Sequence, residues 1–317
     1  MVDLHTHSTA SDGSLSPTML MAEAAKRSIT AVALTDHDTI GGLEEAEKAA
    51  SGEGIHFIPG IELEIIWNHE TRIPRELRNS GKYSDSNDPN IEPKIGEFHL
   101  LGLGIRRPSQ GFKEAIEDLG RRRLKRNLEI VDKMNDAGIE TTYDEIKTLA
   151  NEDNTGTPGI ERPKLNRHSI GRPHFADFLV KRKIVKNREQ AFLRYLGRGR
   201  IFYVAKVGME FEHAAELIRE SGGIAVLAHP MSLYLAWGRL PDFIKSLKER
   251  GLDGIEAWHP TTKVSSCKRL EELGKKLELS ITAGSDFHGA ARPDRKLGIT
   301  AGGKKIDESI LKAIARL

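Results

Sequence analysis

The chain has 317 residues, a mass of 35.2 kDa and a formal net charge of +2. A chain of this length buries enough surface to fold without disulfides, and its single cysteine, Cys267, excludes both a disulfide framework and a cysteine-based zinc cluster. The near-neutral charge argues against a nucleic-acid coat protein or a polybasic membrane binder, while leaving room for a local basic groove. Because no apolar run approaches the ~20 residues of a membrane span and the N-terminus has no signal-peptide pattern, we predict a soluble, cytoplasmic protein with no membrane partner.

Short apolar runs alternate with amphipathic segments along most of the chain. The runs, each too short for a helix and typical of strands buried on both faces, are Val2–Leu4, Ala31–Leu34, Ile55–Ile58, Ile61–Ile66, Phe98–Leu103, Ile224–Leu227, Gly254–Trp258 and Leu279–Ala283. Helical spacing predicts helices at Pro17–Ile29, Leu43–Ala50, Phe211–Glu220, Leu240–Lys248 and Lys268–Leu277. This alternation favours parallel strands with right-handed crossovers. The length favours an α/β barrel of the TIM type, or a relative of it.

The middle of the chain interrupts this pattern. The polar stretch Trp67–Glu97 contains prolines and glycines and is typical of a long loop or insertion. From Lys113 to Tyr195 the spacing is helical, with a second polar break at Asn151–Gly171. We therefore predict a barrel domain formed by residues 1–105 and 201–317, with an inserted helical subdomain at residues 106–200.

Histidine and carboxylate side chains recur where the predicted strands end. They are His5, His7, Asp12, Asp36, His37, Asp38, Glu62, His229, Glu256, His259, Asp286 and His288. The carboxyl ends of parallel barrel strands share one rim, so side chains from six strand ends should converge there. Each residue alone is more often a cap or a loop residue. Together they would be costly to bury without a cation, so the pattern predicts a metal centre.

The donor set restricts the metal and the chemistry. Imidazole nitrogen and carboxylate oxygen, without thiolate, suit Mn²⁺, Fe²⁺ or Zn²⁺ in an open catalytic arrangement. More donors are present than one ion needs, so we predict two or three divalent ions that share a bridging carboxylate. Such ions lower the pKa of bound water and stabilise negative phosphoryl oxygens. Phosphate ester hydrolysis is the favoured reaction, and amide hydrolysis or deamination is the closest competitor.

Seven motifs match, in order, those of the PHP (polymerase and histidinol phosphatase) family. They are His5-Thr6-His7, Thr35-Asp36-His37, Gly60-Ile61-Glu62, Phe98-His99-Leu100-Leu101-Gly102, Arg172-Pro173-His174-Phe175-Ala176, Ala228-His229-Pro230 and Gly284-Ser285-Asp286-Phe287-His288-Gly289. The chain thus resembles this family of metal-dependent phosphoesterases, above all its stand-alone nucleotide or RNA phosphatase branch. The resemblance implies a distorted (β/α)₇ barrel that carries the inserted helical subdomain.

The resemblance also implies a trinuclear centre. The first metal would be held by His5, His7, Glu62 and Asp286. Glu62 would bridge to a second metal, whose other ligands would be His99 and His174. The third metal would be held by Asp12, His37 and His288. His99 and His174 rest on the resemblance alone, because neither lies at the end of a predicted strand.

Three further residues are predicted to act on the substrate. In the implied mechanism, a hydroxide bridging the first two metals attacks phosphorus in line with the departing alkoxide. We expect His229, left over at the rim, to bind phosphate or to protonate the leaving oxygen. Arg172 is expected near the substrate phosphate, and Arg126, within the basic run 121–126, is expected to face inward and grip a second phosphate or a short nucleic-acid backbone. Glu256 and His259 are weaker candidates, either supporting the ligands or merely exposed.

The sequence therefore predicts an enzyme that hydrolyses phosphomonoesters. Its expected substrates are nucleoside mono- or 3′,5′-bisphosphates, or the 5′ end of a short RNA. One alternative is a phosphatase for a small metabolite such as histidinol phosphate. Another is a non-catalytic PHP module that binds a partner, against which the complete set of ligands argues.

Overall fold

Seven strands form one sheet whose spatial order follows the chain. The computed structural model describes residues 1–66, 97–152, 170–205 and 208–314. The strands are β1 (Val2–Thr6), β2 (Ala31–Leu34), β3 (His56–Glu64), β4 (His99–Leu103), β5 (Ile224–Leu227), β6 (Gly254–Trp258) and β7 (Ser280–Ala283). The backbone N–H of His7 donates to the carbonyl of Phe287 at 2.9 Å, which joins the segments that follow β1 and β7. The sheet is a nearly closed barrel, as predicted.

One strand departs from the parallel arrangement that the alternating pattern predicted. β4 is antiparallel to β3 and to β5, whereas the remaining neighbouring pairs are parallel. β3 and β4 pair from Gly60 opposite Leu103 to Glu64 opposite His99. The first residue of β4 therefore lies at the rim where β3 ends. That position brings His99 to the same rim as the ends of the parallel strands.

The runs Ile55–Ile58 and Ile61–Ile66, predicted as two strands, form the single strand β3. Its residues 56–59 pair with β2, and its residues 60–64 pair with β4. A Cβ atom at Gly60 would lie 2.9 Å from the carbonyl oxygen of Gly102, so only glycine allows this close approach. The Pro59-Gly60 pair, which separates the two predicted runs, marks the point at which the strand changes its partner.

Helices cover the barrel and fill the segment between β4 and β5. They are α1 (Pro17–Lys26), α2 (Leu43–Glu53), α3 (Gln110–Asp136), α4 (Tyr143–Glu152), α5 (Arg172–Lys181), α6 (Arg188–Ala191), α7 (Phe211–Glu220), α8 (Leu240–Glu249) and α9 (Val264–Lys276). A π-helical turn spans Phe192–Leu196, short 3₁₀ turns span Pro230–Leu233, Gly289–Ala291, Ala301–Gly303 and Glu308–Ile314, and a small hairpin joins β8 (Ile299–Thr300) to β9 (Lys304–Lys305). Among the described residues, no helix has both the length and the apolar character needed to cross a bilayer.

Separate apolar clusters lie in the barrel and in the helical segment. Every residue of β1, β2, β4 and β5 is buried. α3 spans both regions: Phe112 and Leu119 pack in the barrel core, whereas Ile130 and Met134 pack in a helical core. The division into a barrel (1–105 and 201–317) and a helical subdomain (106–200) stays a prediction that these clusters favour. The stretch predicted as a long loop, Trp67–Glu97, and the break Asn151–Gly171 lie largely outside the described residues.

Candidate metal centre

Ionisable side chains from six strands converge at one rim of the barrel. His5 and Glu62 lie in β1 and β3, and His99 begins β4. The others follow strands: His7 and Asp12 after β1, His37 after β2, His229 after β5, and Asp286 and His288 after β7. Three groups of potential metal ligands result, in each of which one ligand atom per residue lies within 4.8 Å of the others.

The first group contains the four residues expected to hold the first metal. The Nε2 atoms of His5 and His7 each lie 3.3 Å from Oε2 of Glu62. The same atoms lie 3.5 and 3.1 Å from Oδ1 of Asp286. All four side chains are buried. Two imidazoles and two carboxylates thus face one small volume, and they are the four that the resemblance assigned to the first metal.

The second group surrounds Asp12. Its Oδ1 lies 3.2 Å from Nε2 of His288 and 4.0 Å from both Nε2 of His37 and Nδ1 of His7. The two ring nitrogens of His7 therefore face different groups, Nε2 toward Glu62 and Nδ1 toward Asp12. Asp12, His37 and His288, which the resemblance assigned to the third metal, lie together, and His7 joins them.

The third group uses both oxygens of Glu62, with Nδ1 of His37 at 3.1 Å from Oε2 and His99 beside Oε1. His37, Glu62 and His99 form this group, with Nδ1 of His99 at 2.8 Å from Oε1 of Glu62. His229 adds its Nε2 atom at 2.9 Å from the same Oε1 and 3.3 Å from Nδ1 of His99. The side chain of His229 therefore lies among the ligands, where the sequence expected a residue that acts on the substrate.

His174 is in none of the three groups that the described part of the chain forms. It lies in the first turn of α5, where its Nδ1 accepts a hydrogen bond from the backbone N–H of Gly171 at 3.0 Å. Burial lowers the pKa of His174, and the charge of Asp12 opposes that shift. Asp12 has the largest effect among the charges that act on His174, whereas the resemblance paired His174 with Glu62 and His99.

Arginines from the helical segment lie beside the rim. Arg126 is buried on α3, and its Nε atom has no hydrogen-bond partner among the residues that the structure describes. Burial lowers the pKa of Arg126 to about 9, and the charges of Arg123 and Arg172 add to the effect. The guanidinium of Arg172 lies 5.4 Å from the ring centre of Tyr203. The two predicted arginines are therefore close enough to repel each other, a concentration of positive charge suited to an anion.

Several residues that support the ligands were weak or absent predictions. Glu256 accepts from Nδ1 of His5 at 3.0 Å, and Nε2 of His259 lies 3.3 Å from Oδ2 of Asp286; both residues are buried, so neither is merely exposed. Arg295, which the sequence analysis did not single out, forms an ion pair with Asp286. Glu64 lies 3.1 Å from Nε2 of His99. A carboxylate that contacts the far nitrogen of a ligand histidine fixes the orientation of its ring. Glu64 could have been found from the sequence, because it lies two residues after Glu62 and so on the same face of β3.

The electrostatics of the rim follow from burial and from close opposite charges. Burial opposes protonation of His5, but the charges of Glu256 and Glu62 prevail and raise its pKa to about 10. The pKa of His99 is likewise raised to about 10, against burial, by Glu62 and Glu64. Burial would raise the pKa of Asp12, yet His288 and His37 hold it well below its usual value. The neighbouring glutamates thus stabilise the protonated forms of His5 and His99, and the imidazoles around Asp12 stabilise its carboxylate.

The backbone at the rim is strained. Asp38, His229 and Asp286 have φ angles of 51°, 27° and 50°, in the left-handed region that non-glycine residues rarely adopt. Such conformations cost about 1–3 kcal/mol each and persist where the surrounding structure requires them. All three follow strands at the rim, so the strain is concentrated where the side chains converge.

We expect Gly284→Ala to displace His5 and so to weaken both the stability of the protein and its binding of metal. A Cβ atom at Gly284 would overlap the Cβ of His5 and lie 2.7 Å from Oε1 of Glu256. The substitution should cost about 1–3 kcal/mol of stability through overpacking and weaken metal binding by about 10–100-fold through displacement of His5. Urea unfolding and metal titration measure the two effects. Gly52→Ala is the matched control, because a Cβ there meets nothing within 4 Å; equal metal affinity in both variants would contradict the expectation.

The residues present fit divalent cations. Five buried ligand atoms have no hydrogen-bond partner within the described ranges: Nε2 of His5, both ring nitrogens of His7, Oε2 of Glu62 and Nε2 of His288. Buried polar atoms are rarely left unsatisfied in native proteins, and these five face the shared volumes of the groups. With nitrogen and oxygen donors and no thiolate, the cluster suits divalent metals.

Comparison with known proteins relates the whole chain to one family. A family model for the PHP domain matches residues 3–168. The chain is 33% identical over 286 residues to a 5′-3′ exoribonuclease of Haemophilus influenzae, with 90% of this chain and 89% of that protein covered. It is 29% identical over 299 residues to a 3′,5′-nucleoside bisphosphate phosphatase of Chromobacterium violaceum, with 94% and 91% covered.

A solved structure extends the comparison to the fold. It is described as an amidohydrolase from Chromobacterium violaceum with bound sulfate and no metal. The two chains superpose with a TM-score of 0.76 at 27% identity, with 99% of this chain and 96% of that one covered. The similarity therefore extends over the barrel and over the helical segment between β4 and β5.

Proposed function

Because this chain belongs to the PHP domain family, we propose that it is a metal-dependent hydrolase that cleaves phosphomonoesters of nucleotides. The observation that carries the proposal is the position of Glu62. Its Oε1 lies within 2.9 Å of His99 and His229, and its Oε2 lies within 3.3 Å of His5, His7 and His37. One buried carboxylate between two sets of imidazoles is the arrangement expected of a bridging ligand.

The proposed centre holds two or three divalent ions, of Mn, Fe or Zn. His5, His7, Glu62 and Asp286 would hold the first, and His7, Asp12, His37 and His288 surround the place of another. For the remaining ion, the distances of His229 favour it as the partner of Glu62 and His99, in the role that the sequence gave to His174. Bound divalent cations would lower the pKa of water toward neutrality and offset charge on phosphoryl oxygens.

The protein's own cations would orient the substrate. The guanidinium groups of Arg126 and Arg172 lie on the helical side of the rim, and the unpaired Nε of Arg126 is a donor available to a phosphate oxygen. Arginine binds phosphate through parallel N–H donors, which fixes orientation as well as charge. Arg295 would act through Asp286, whose carboxylate it holds by an ion pair.

The relatives indicate the substrate class. One is named for nucleoside 3′,5′-bisphosphates and the other for RNA, so we propose a nucleotide or a short oligonucleotide with a terminal phosphate. A bisphosphate or an oligonucleotide offers a second phosphate to the arginines beside the rim. A small-metabolite phosphatase would have no comparable use for them.

A substrate panel with added Mn²⁺ tests the proposal. Hydrolysis of an aryl phosphate would separate an enzyme from a non-catalytic module. Nucleoside monophosphates, 3′,5′-bisphosphates, short 5′-phosphorylated RNA and histidinol phosphate would then separate the substrate classes. We expect the highest kcat/KM on a bisphosphate or an RNA end, and loss of activity with a chelator. Preference for histidinol phosphate, or cleavage of amides alone, would contradict the proposal.

We expect Arg126→Ala to discriminate between substrates with one and two phosphates. Loss of a charge-assisted hydrogen bond costs about 1.5–3 kcal/mol, so kcat/KM for a nucleoside 3′,5′-bisphosphate should fall about 10–100-fold. Aryl phosphate hydrolysis should change much less. Arg122→Ala, one turn earlier on α3 at an exposed position paired with Asp118, is the matched control. An equal loss on both substrates would show that Arg126 supports the structure rather than a second phosphate.

A further inference from the structure

A strongly basic segment follows α5 in this otherwise near-neutral chain. Residues 181–200 contain eight Lys and Arg side chains and one Glu, whereas the whole chain carries a net charge of only +2. Two of the eight are engaged, Arg182 with Glu145 and Arg188 with Asp177. Five are exposed without a carboxylate partner in the part of the chain that the structure describes; they are Lys183, Lys186, Arg194, Arg198 and Arg200. Unneutralised charge of this density attracts a polyanion.

Part of this segment forms a concave surface. A cavity of about 530 Å³ is lined by Lys183, Lys186 and Arg194 together with the apolar side chains of Val180, Ile184 and Val185. Two exposed aliphatic side chains, Leu193 and Ile201, lie within or next to the segment in sequence. Cations beside an apolar floor provide contacts for a phosphate and for the flat face of an unstacked base at the same place.

The segment is attached to the rim of the barrel. The guanidinium of Arg188 donates to the carbonyl of Ala291 at 3.0 Å, just beyond His288. The charge of Asp12 contributes to the raised pKa of Arg188, after the larger effect of its hydrogen bond to Asp177. The charge of Asp12 also acts on His174, in the first turn of α5. The segment is therefore anchored, through Arg188, to the turn that follows His288.

We propose that residues 181–200, here called the basic segment, bind the phosphodiester backbone of a single-stranded RNA whose terminal phosphate lies at the metal centre. The proposal rests on the proposed function and narrows its substrate to a polynucleotide. Single-stranded RNA suits the cavity because its bases are free to leave the stack, whereas duplex bases are not. The backbone contacts are independent of sequence, so the enzyme would act on RNA ends of any sequence.

The test reverses three charges that line the cavity. The variant Lys183→Glu/Lys186→Glu/Arg194→Glu should raise KM for a 5′-phosphorylated 12-nucleotide RNA about tenfold or more, and leave kcat/KM for a 3′,5′-bisphosphate within about twofold. The slope of log KM against log salt for RNA should fall by about 2, since each single-strand phosphate contact contributes about 0.7. The triple Gln variant, which removes charge without reversing it, should show a smaller change in the same direction.

The matched control reverses three exposed lysines on the barrel helices, Lys48→Glu/Lys268→Glu/Lys276→Glu. A similar KM change in this control, or equal losses on both substrates in the first variant, would overturn the proposal. Anisotropy of a labelled 12-nucleotide RNA in chelator tests binding without hydrolysis. If the protein hydrolyses no phosphate ester, the proposed function fails, yet RNA binding that the first variant alone loses would still support the surface. Absence of RNA binding, or binding only to vesicles of anionic phospholipid, would overturn it.

Discussion

Glu62→Ala is expected to abolish hydrolysis, with kcat reduced by at least about 10³-fold and with loss of more than one bound metal per chain. The reduction follows because the ions supply several kcal/mol of transition-state stabilisation and each 1.36 kcal/mol is a factor of ten in rate. Both oxygens of Glu62 are surrounded, Oε1 by His99 and His229 and Oε2 by His5, His7 and His37. Removal of the carboxylate therefore takes away the anion that contacts imidazoles of both the first and the third group. Metal analysis of the purified protein and Mn²⁺-dependent phosphatase assays measure the two effects.

The control for this prediction is Glu256, a carboxylate outside the three groups of potential ligands that accepts from the ring of His5 and from the backbone N–H of His229. Glu256 lies 3.0 Å from Nδ1 of His5, on the side away from Glu62. Because such supporting residues typically change metal affinity or activity by about 10–100-fold, Glu256→Gln should retain measurable activity at high Mn²⁺. Circular dichroism would confirm that both variants are folded. If Glu62→Ala retained a full complement of metal, its role as the bridging ligand would be excluded.

Most of the rim was predictable because parallel barrel strands end on the same side. His5, His7, Asp286 and His288 were placed together from this rule alone, and the structure brings them within ligand distance of Glu62 or Asp12. The rule depends on strand direction, which an apolar run does not reveal. β4 runs the other way, so its first residue and not its last reaches the rim. His99 was therefore available only from the family resemblance.

Contacts that depend on the fold of the helical segment were less predictable. Arg126 and Arg123 belong to one basic run, yet Arg123 forms an ion pair with Asp38 while Arg126 is buried with an unpaired Nε. Helical spacing puts the two residues on one face but does not specify which of them meets a carboxylate. Arg295 is close to Asp286 in sequence, but the loop that brings their side chains together has no periodic pattern.

The backbone explains why the place of His229 was predictable and its partner was not. His229 lies two residues beyond the end of β5, so the strand pattern was sufficient to place it at the rim. Its φ angle of 27° and the hydrogen bond from its backbone N–H to Glu256 at 2.7 Å determine where the ring points. Neither feature is readable from the sequence Ala-His-Pro. For His174 the motif was recognisable, whereas the contacts of its side chain depend on how α5 packs.

Metal content distinguishes the two roles considered for His229. A residue that only binds phosphate or protonates the leaving oxygen can be removed without loss of metal. The structure favours the other role, since Nε2 of His229 lies 2.9 Å from Oε1 of Glu62 and 3.3 Å from Nδ1 of His99, while its Nδ1 lies 2.7 Å from Oγ of Ser232. We therefore expect His229→Ala to lose about one metal equivalent and to lower kcat by about 10²–10³-fold.

The comparison variant is His174→Ala, because the family resemblance gave that residue the same place beside Glu62 and His99. Its Nδ1 is already occupied by the N–H of Gly171, so we expect it to retain the metal that His229→Ala loses and to have the smaller effect on kcat. Retention of all metal in His229→Ala, with a slower turnover, would restore the phosphate-binding or proton-donating role. Loss of metal in His174→Ala alone would mean that α5 moves toward Glu62 when the centre is loaded. The two variants are measured side by side for metal content and for kcat on the same substrate. Because the two assignments place either His229 or His174 beside Glu62 and His99, the variant that loses the metal identifies the ligand.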